Sequence, residues 1–130
     1  MTFVIDTNIL VELERDNKVI ISKLEGLDLI KGNIYITSPS YSEFYLGLLN
    51  KSNEKLEKEK ERLDKYKLLN TTKNSSKLLA EIKHKVTKAG TMIPIFDLLI
   101  ASIVMDSRMP LVTLDGHFKK IQNLNVILIE

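Results

Sequence analysis

The chain contains no cysteine and no tryptophan, and only two histidines, three prolines and five glycines among 130 residues. Without cysteine there is no disulfide framework, no thiolate zinc site and no cysteine nucleophile. A cytosolic protein is the simplest expectation. Aromatic residues make up 6% of the chain, too few for a surface that stacks several splayed bases. No apolar run approaches the ~20 residues that span a bilayer. The first residues also lack the basic region and small-residue cleavage site of a secretory leader, so membrane association is not expected. A large charge of one sign is missing too. Nineteen Lys and Arg against 17 Asp and Glu leave a formal charge of +2, too small by itself to mark a nucleic-acid binder.

What is present suits a globular protein. Hydrophobic residues are 44% and charged residues 28% of the sequence. The length suits one domain over residues 1–130, long enough to bury a core. Residues 2–5 read as a short apolar strand. Thr7 or Asn8 can cap a helix carrying Ile9, Leu10 and Leu13 at helical spacing. Asp16-Asn17 breaks it, and a second helix runs from Lys18 to about Leu27. Gly32-Asn33 signals a turn into a strand at Ile34 to Thr37, and Ser38-Pro39 reads as a cap followed by proline at the first helical position.

Residues 51–67 are dense in charge, with Leu56, Leu63 and Tyr66 as a narrow apolar seam on an exposed helix. A short strand at Leu68-Leu69, a helix from the Thr72–Ser76 caps to Lys88, and an almost wholly apolar helix from Phe96 to Met105 follow. Strands at Leu111 to Leu114 and Asn125 to Ile129 flank a helical turn near Phe118 to Ile121. Alternating strands and helices predict a single compact α/β domain, with a largely parallel central sheet of about five strands flanked by helices.

In that architecture, strand carboxyl ends and the starts of the following helices share one edge, where ligands bind. Asp6 ends the first strand and Asp115 follows the fourth, while Glu43 and Asp97 lie near helix starts. Taken singly, Asp6 also reads as a helix cap, Glu43 as a solvated helix residue and Asp115 as an ordinary turn. Asp97 sits among Phe96, Leu98, Leu99, Ile100 and Ala101, on a partly buried face where an unpaired carboxylate is costly. Two carboxylates about 4 Å apart repel by roughly 4 kcal/mol at an effective dielectric near 20. A hard cation relieves that repulsion, and an all-oxygen donor set points to Mg²⁺ or Mn²⁺ rather than Zn²⁺. If cations neutralise these four acids, the surface outside the site would be distinctly basic, as a polyanionic substrate requires.

The segments Val4-Ile5-Asp6-Thr7-Asn8, Ser42-Glu43, Ile95 to Ala101 and Leu111 to Phe118 resemble, in order and spacing, the motifs of PIN domains. The resemblance runs over essentially the whole chain, nearest to the stand-alone VapC-type toxins of toxin–antitoxin pairs. It implies a Mg²⁺- or Mn²⁺-dependent endoribonuclease that forms a homodimer and is neutralised by a small antitoxin protein. It further implies that Asp6, Glu43 and Asp97 are the principal metal-binding acids and that Asp115 is the more variable fourth. Thr113 and Asn8 match the family's supporting polar positions.

Other residues invite weaker readings. His117 is a possible general base, but reads rather as a loop residue packing beside Phe118, and His84 as solvated. Arg15, Lys119 and Lys120 are candidate phosphate contacts for the RNA, while Phe44 and Tyr45 read as core or dimer residues. A phospho-accepting receiver domain needs an acidic pair after its first strand, which Thr7-Asn8 does not supply. A catalytically inactive PIN-like domain that binds RNA or protein is the remaining alternative.

Overall fold

The computed structural model describes residues 2–29, 33–51 and 54–130. The turn expected at Gly32-Asn33 lies partly outside them. Five strands form one sheet in the order β3-β2-β1-β4-β5: β1 (Thr2–Ile5), β2 (Asn33–Thr37), β3 (Lys67–Leu69), β4 (Leu111–Thr113) and β5 (Val126–Leu128). Every pairing is parallel. The chain builds outward from β1 to β3 on one side, then crosses to β4 and β5 on the other. The strand order therefore reverses between β1 and β4, the place where open α/β sheets bind ligands.

Alternation along the strands divides the core in two. Phe3, Ile5 and Val112 face one layer with α1 (Thr7–Glu14), α2 (Lys18–Gly26), α3 (Ser38–Leu49) and α4 (Leu56–Leu63). Val4 and Leu111 face the other, with α5 (Lys73–Lys88) and α6 (Ile95–Ser107). Burying both faces explains why β1 and β4 are continuous apolar runs rather than alternating ones. Helix α6 is the central one: Leu98, Ile100, Ala101, Ile103 and Val104 are all buried. At the end of α5, Gly90 takes φ +71, and the following Thr91 N–H closes the helix on the Val86 carbonyl at 2.9 Å.

Asp6, Thr7 and Asn8 all read as caps of α1 in the sequence and the structure selects the first, whereas at α3 the cap shifts by one residue. Asp6, not Thr7 or Asn8, caps α1, because its extended backbone lets the carboxylate turn back onto the Ile9 N–H. Thr37, not Ser38, caps α3. Its hydroxyl accepts from Ser40 N, which makes Ser38 and Pro39 the first helical residues. The charged segment forms a shorter helix than expected, only Leu56–Leu63, with Leu63 as its buried residue.

Candidate functional site

The carboxyl edge at the β1–β4 junction is a cleft of about 220 Å³, lined by Asp6, Thr7, Asn8, Glu43, Asp97, Ile100, Asp115 and Phe118. Four acids from four separate segments meet there, and among the described residues no lysine or arginine lines it. A larger cavity of about 560 Å³ lies elsewhere, between α5, α6 and the turn after β4. Leu78, Ile82, Val86, Met105 and Ile121 line it, and none of the four acids does.

Each acid is placed by the fold. Asp6 leaves the central strand buried, at 3% exposure. One of its oxygens accepts from Ile9 N at 3.0 Å and the other from the Thr113 hydroxyl of the neighbouring strand. Burial pushes its carboxyl above the ordinary 3.8, and the charges of Asp97 and Asp115 add to that. The two hydrogen bonds pull in the opposite direction. Glu43 is exposed, in the second turn of α3. The Thr7 hydroxyl donates to its Oε1 at 2.7 Å and lies 3.0 Å from Ser40 Oγ, so α1 and α3 are joined at their starts. Asp97 occupies the first turn of α6, where a negative charge is favoured by the helix dipole. Asp115 caps the 3-10 turn Gly116–Lys120, accepting from His117 N at 3.0 Å while its own N–H donates to Thr113 Oγ1 at 3.0 Å.

His117 is the residue that sequence reasoning undervalued. Its ring does stack on Phe118, with centroids 5.0 Å apart. The same ring also places Nε2 3.0 Å from Asp97 Oδ2 and Nδ1 2.5 Å from Asp115 Oδ1. The signal was the Asp-x-His spacing: a carboxylate capping the amide two residues on brings that residue's side chain back beside it. Thr7 was likewise passed over in favour of Asn8, which lines the cleft one position further along.

The candidate RNA contacts are dispersed. Arg15 is exposed, 3.8 Å from Glu12, and lines a groove shared with Glu43. Lys119 and Lys120 are both exposed on the turn after β4, but Lys120 borders the larger cavity rather than the acidic cleft.

Among the described residues, no three His, Asp or Glu side chains form a ready-made metal cage. Asp97 and Asp115 lie against the His117 ring, and Asp6 accepts from Thr113 and Ile9. The donor chemistry nonetheless suits a hard divalent ion. The cleft offers carboxylate, amide and hydroxyl oxygens, and among the described residues no lysine or arginine lines it.

Fold and site together define a parallel α/β domain with an acidic cleft at its switch point. The chain belongs to the PIN domain family, whose pattern it matches over residues 3–124. Ribonuclease VapC3 of Methanocaldococcus jannaschii is 36% identical over 103 residues, covering 79% of this chain and 98% of that protein. The crystal structure of VapBC2 from Rickettsia felis, bound to a DNA fragment from its promoter, contains a chain with 25% identity and a TM-score of 0.82. Coverage is 100% of both chains. DNA-bound VapBC from Salmonella typhimurium superposes with a TM-score of 0.82 at 17% identity, over 98% of this chain and 97% of that one, a likeness of fold. No helix among the described residues is long and apolar enough to cross a membrane.

Proposed function

We propose that this chain is a divalent-cation-dependent endoribonuclease, acting in the cytoplasm as the toxin of a toxin–antitoxin pair. The observation that carries the reading is the cleft itself, where Asp6, Glu43, Asp97 and Asp115 converge with no lysine or arginine among the described residues that line it. The similarity over 103 residues to a protein named as a ribonuclease supports the substrate class. Asp6, Glu43 and Asp97 are the residues that would hold Mg²⁺ or Mn²⁺, with Asp115 in support. Such an ion, when bound, supplies stabilisation of negative charge on phosphate oxygens and acidifies a water for attack on phosphorus.

The chain's own groups do the rest. Thr113 and the Ile9 N–H fix the orientation of the Asp6 carboxylate. Thr7 holds Glu43 toward the cleft, and Asn8 at the rim supplies an amide for the substrate backbone. Arg15, Lys119 and Lys120 are the phosphate contacts of this reading, although Lys120 also borders the larger cavity. The VapBC complexes among its structural neighbours support a cognate antitoxin as partner. A homodimer is the proposed assembly. Met92, Ile95 and Phe96, exposed at 92%, 56% and 44% just ahead of Asp97, supply an apolar face for it.

The test is cleavage of a mixed RNA substrate with Mg²⁺ or Mn²⁺, with and without a chelator, by the native chain and by Asp97→Asn. Cleavage should require the ion and vanish in the variant, while circular dichroism shows the fold intact. Undiminished cleavage by Asp97→Asn would refute the assignment. A second reading, a binding protein without turnover, is favoured by the engagement of Asp97 and Asp115 with His117. Calorimetric titration with Mn²⁺ separates the two, because a protein that takes up no ion is not the proposed nuclease.

A further inference from the structure

We propose that His117 is an internal stand-in for the cation: its ring occupies carboxylate oxygens of Asp97 and Asp115, and a divalent ion must displace it to bind. The inference rests on the functional reading above and extends it to a residue which that reading does not use. Asp97 Oδ2 and Asp115 Oδ1, on different elements, each lie within 3.0 Å of a nitrogen of this one ring. The ring is held there by its stacking on Phe118, a fully buried side chain. Both carboxylates otherwise face the acidic cleft.

Two opposite consequences are conceivable for such a bridge. It either assembles the two acids for the ion or competes with the ion for their oxygens. The backbone decides between them. Asp97 is anchored by its flanking α6 residues, Leu98, Ile100 and Ala101, none more than 1% exposed. Asp115 follows a strand whose three residues are all buried, and its carboxylate is held by the His117 main-chain N–H, which no side-chain substitution removes. Both acids therefore stay in place without the ring, and competition is the effect that remains. His117 thus acts through Asp97 and Asp115, as a positioning residue and not a catalytic one.

The experiment is calorimetric titration of metal-free protein with Mn²⁺ at one fixed pH. Three proteins are compared: the native chain, His117→Phe, which keeps an aromatic ring against Phe118, and His117→Gln, which cannot span both acids. Freeing the two carboxylate oxygens from the ring should tighten Mn²⁺ binding by roughly tenfold in both variants. It should also lower the melting temperature of the metal-free protein, because the acids lose their partner. A merely structural histidine would lower the melting temperature without tightening the ion. Unchanged or weaker Mn²⁺ binding in both folded variants overturns the proposal. The Asp6→Asn protein runs alongside: if the native chain binds Mn²⁺ and Asp6→Asn does not, the cation site stands whatever His117 does. If no variant takes up Mn²⁺, the functional reading and this inference fall together.

Discussion

Thr113 on β4 donates its hydroxyl to the carboxylate of Asp6 at the end of β1, although 107 positions separate them in sequence. The same hydroxyl oxygen accepts from Asp115 N at 3.0 Å, so one fully buried side chain joins two acids of the cleft. Thr113→Val keeps the shape and removes both bonds. It leaves a buried carboxylate oxygen and an amide unmatched, which should cost about 1–3 kcal/mol in chemical denaturation. Thr113→Ser, which keeps the hydroxyl, should lose much less. Equal stability of the valine variant and the native chain would show that the hydroxyl is not supporting Asp6.

Asp6 itself should oppose folding once it is charged. Its carboxyl titrates above the ordinary 3.8 in the folded chain, chiefly through burial, so the folded state holds its proton more tightly than the unfolded state does. The stability that this group contributes is therefore fully present below the unfolded value and is lost as pH rises through the folded one. Asp6→Asn should abolish Mn²⁺-dependent cleavage yet, without metal, melt a few degrees higher than the native chain at neutral pH. Asn can still accept from the Ile9 N–H, so the helix cap survives. The gap should close toward pH 4. A melting temperature below that of the native chain at pH 7 would contradict this account.

Thr7 is the outer support of Glu43, its hydroxyl donating to Oε1 at 2.7 Å. Groups that orient a metal-binding carboxylate commonly contribute roughly 10- to 100-fold to ion affinity. Thr7→Val should weaken Mn²⁺ binding and cleavage within that range; its small cost in thermal stability should come from the lost contact to buried Ser40, since Glu43 is exposed. Calorimetry and a cleavage assay on the same preparation check both parts. Full Mn²⁺ affinity in Thr7→Val would show that Glu43 needs no such support.

The sheet was legible because burial on both faces writes itself as apolar runs. Phe3-Val4-Ile5 and Leu111-Val112 mark the two central strands without help from anything distant. The convergence of Asp6 with Asp115 followed from parallel topology alone, since β1 and β4 are neighbours in register at Val4–Leu111 and Ile5–Val112. Side-chain partnerships across elements were not legible. Thr7 meets Glu43 only because α1 and α3 begin at the same edge, and periodicity within a helix says nothing of that. His117 packs on Phe118, as expected from adjacency, but its reach to Asp97 depends on how α6 crosses the sheet. The choice of caps has a local reason: Asp6 follows β1 and Thr37 ends β2, and a residue leaving a strand already has the extended backbone a cap requires.

Asp106, at the other end of α6, should show the pH slope opposite to that of Asp6. Its oxygens accept from the Thr72 hydroxyl and from Asn74 Nδ2, both at 2.7 Å, tying α6 to the start of α5. Thr72 is also the cap of α5: its hydroxyl oxygen accepts from Ser75 N at 2.9 Å, and Ser75 Oγ accepts from Thr72 N at 2.7 Å. The Asn74 bond first, and then the Thr72 bond, hold the Asp106 carboxyl below the ordinary 3.8. A carboxyl lowered in the folded state contributes stability above its unfolded value and loses it as pH falls through the folded one. Asp106→Asn should therefore melt a few degrees below the native chain at pH 7, with the difference shrinking as the pH is taken below about 4. Divalent binding should not change, since Asp106 lines no part of the acidic cleft. A difference that persists undiminished at pH 3 would mean that the amide disturbs packing rather than removing a charge-dependent bond.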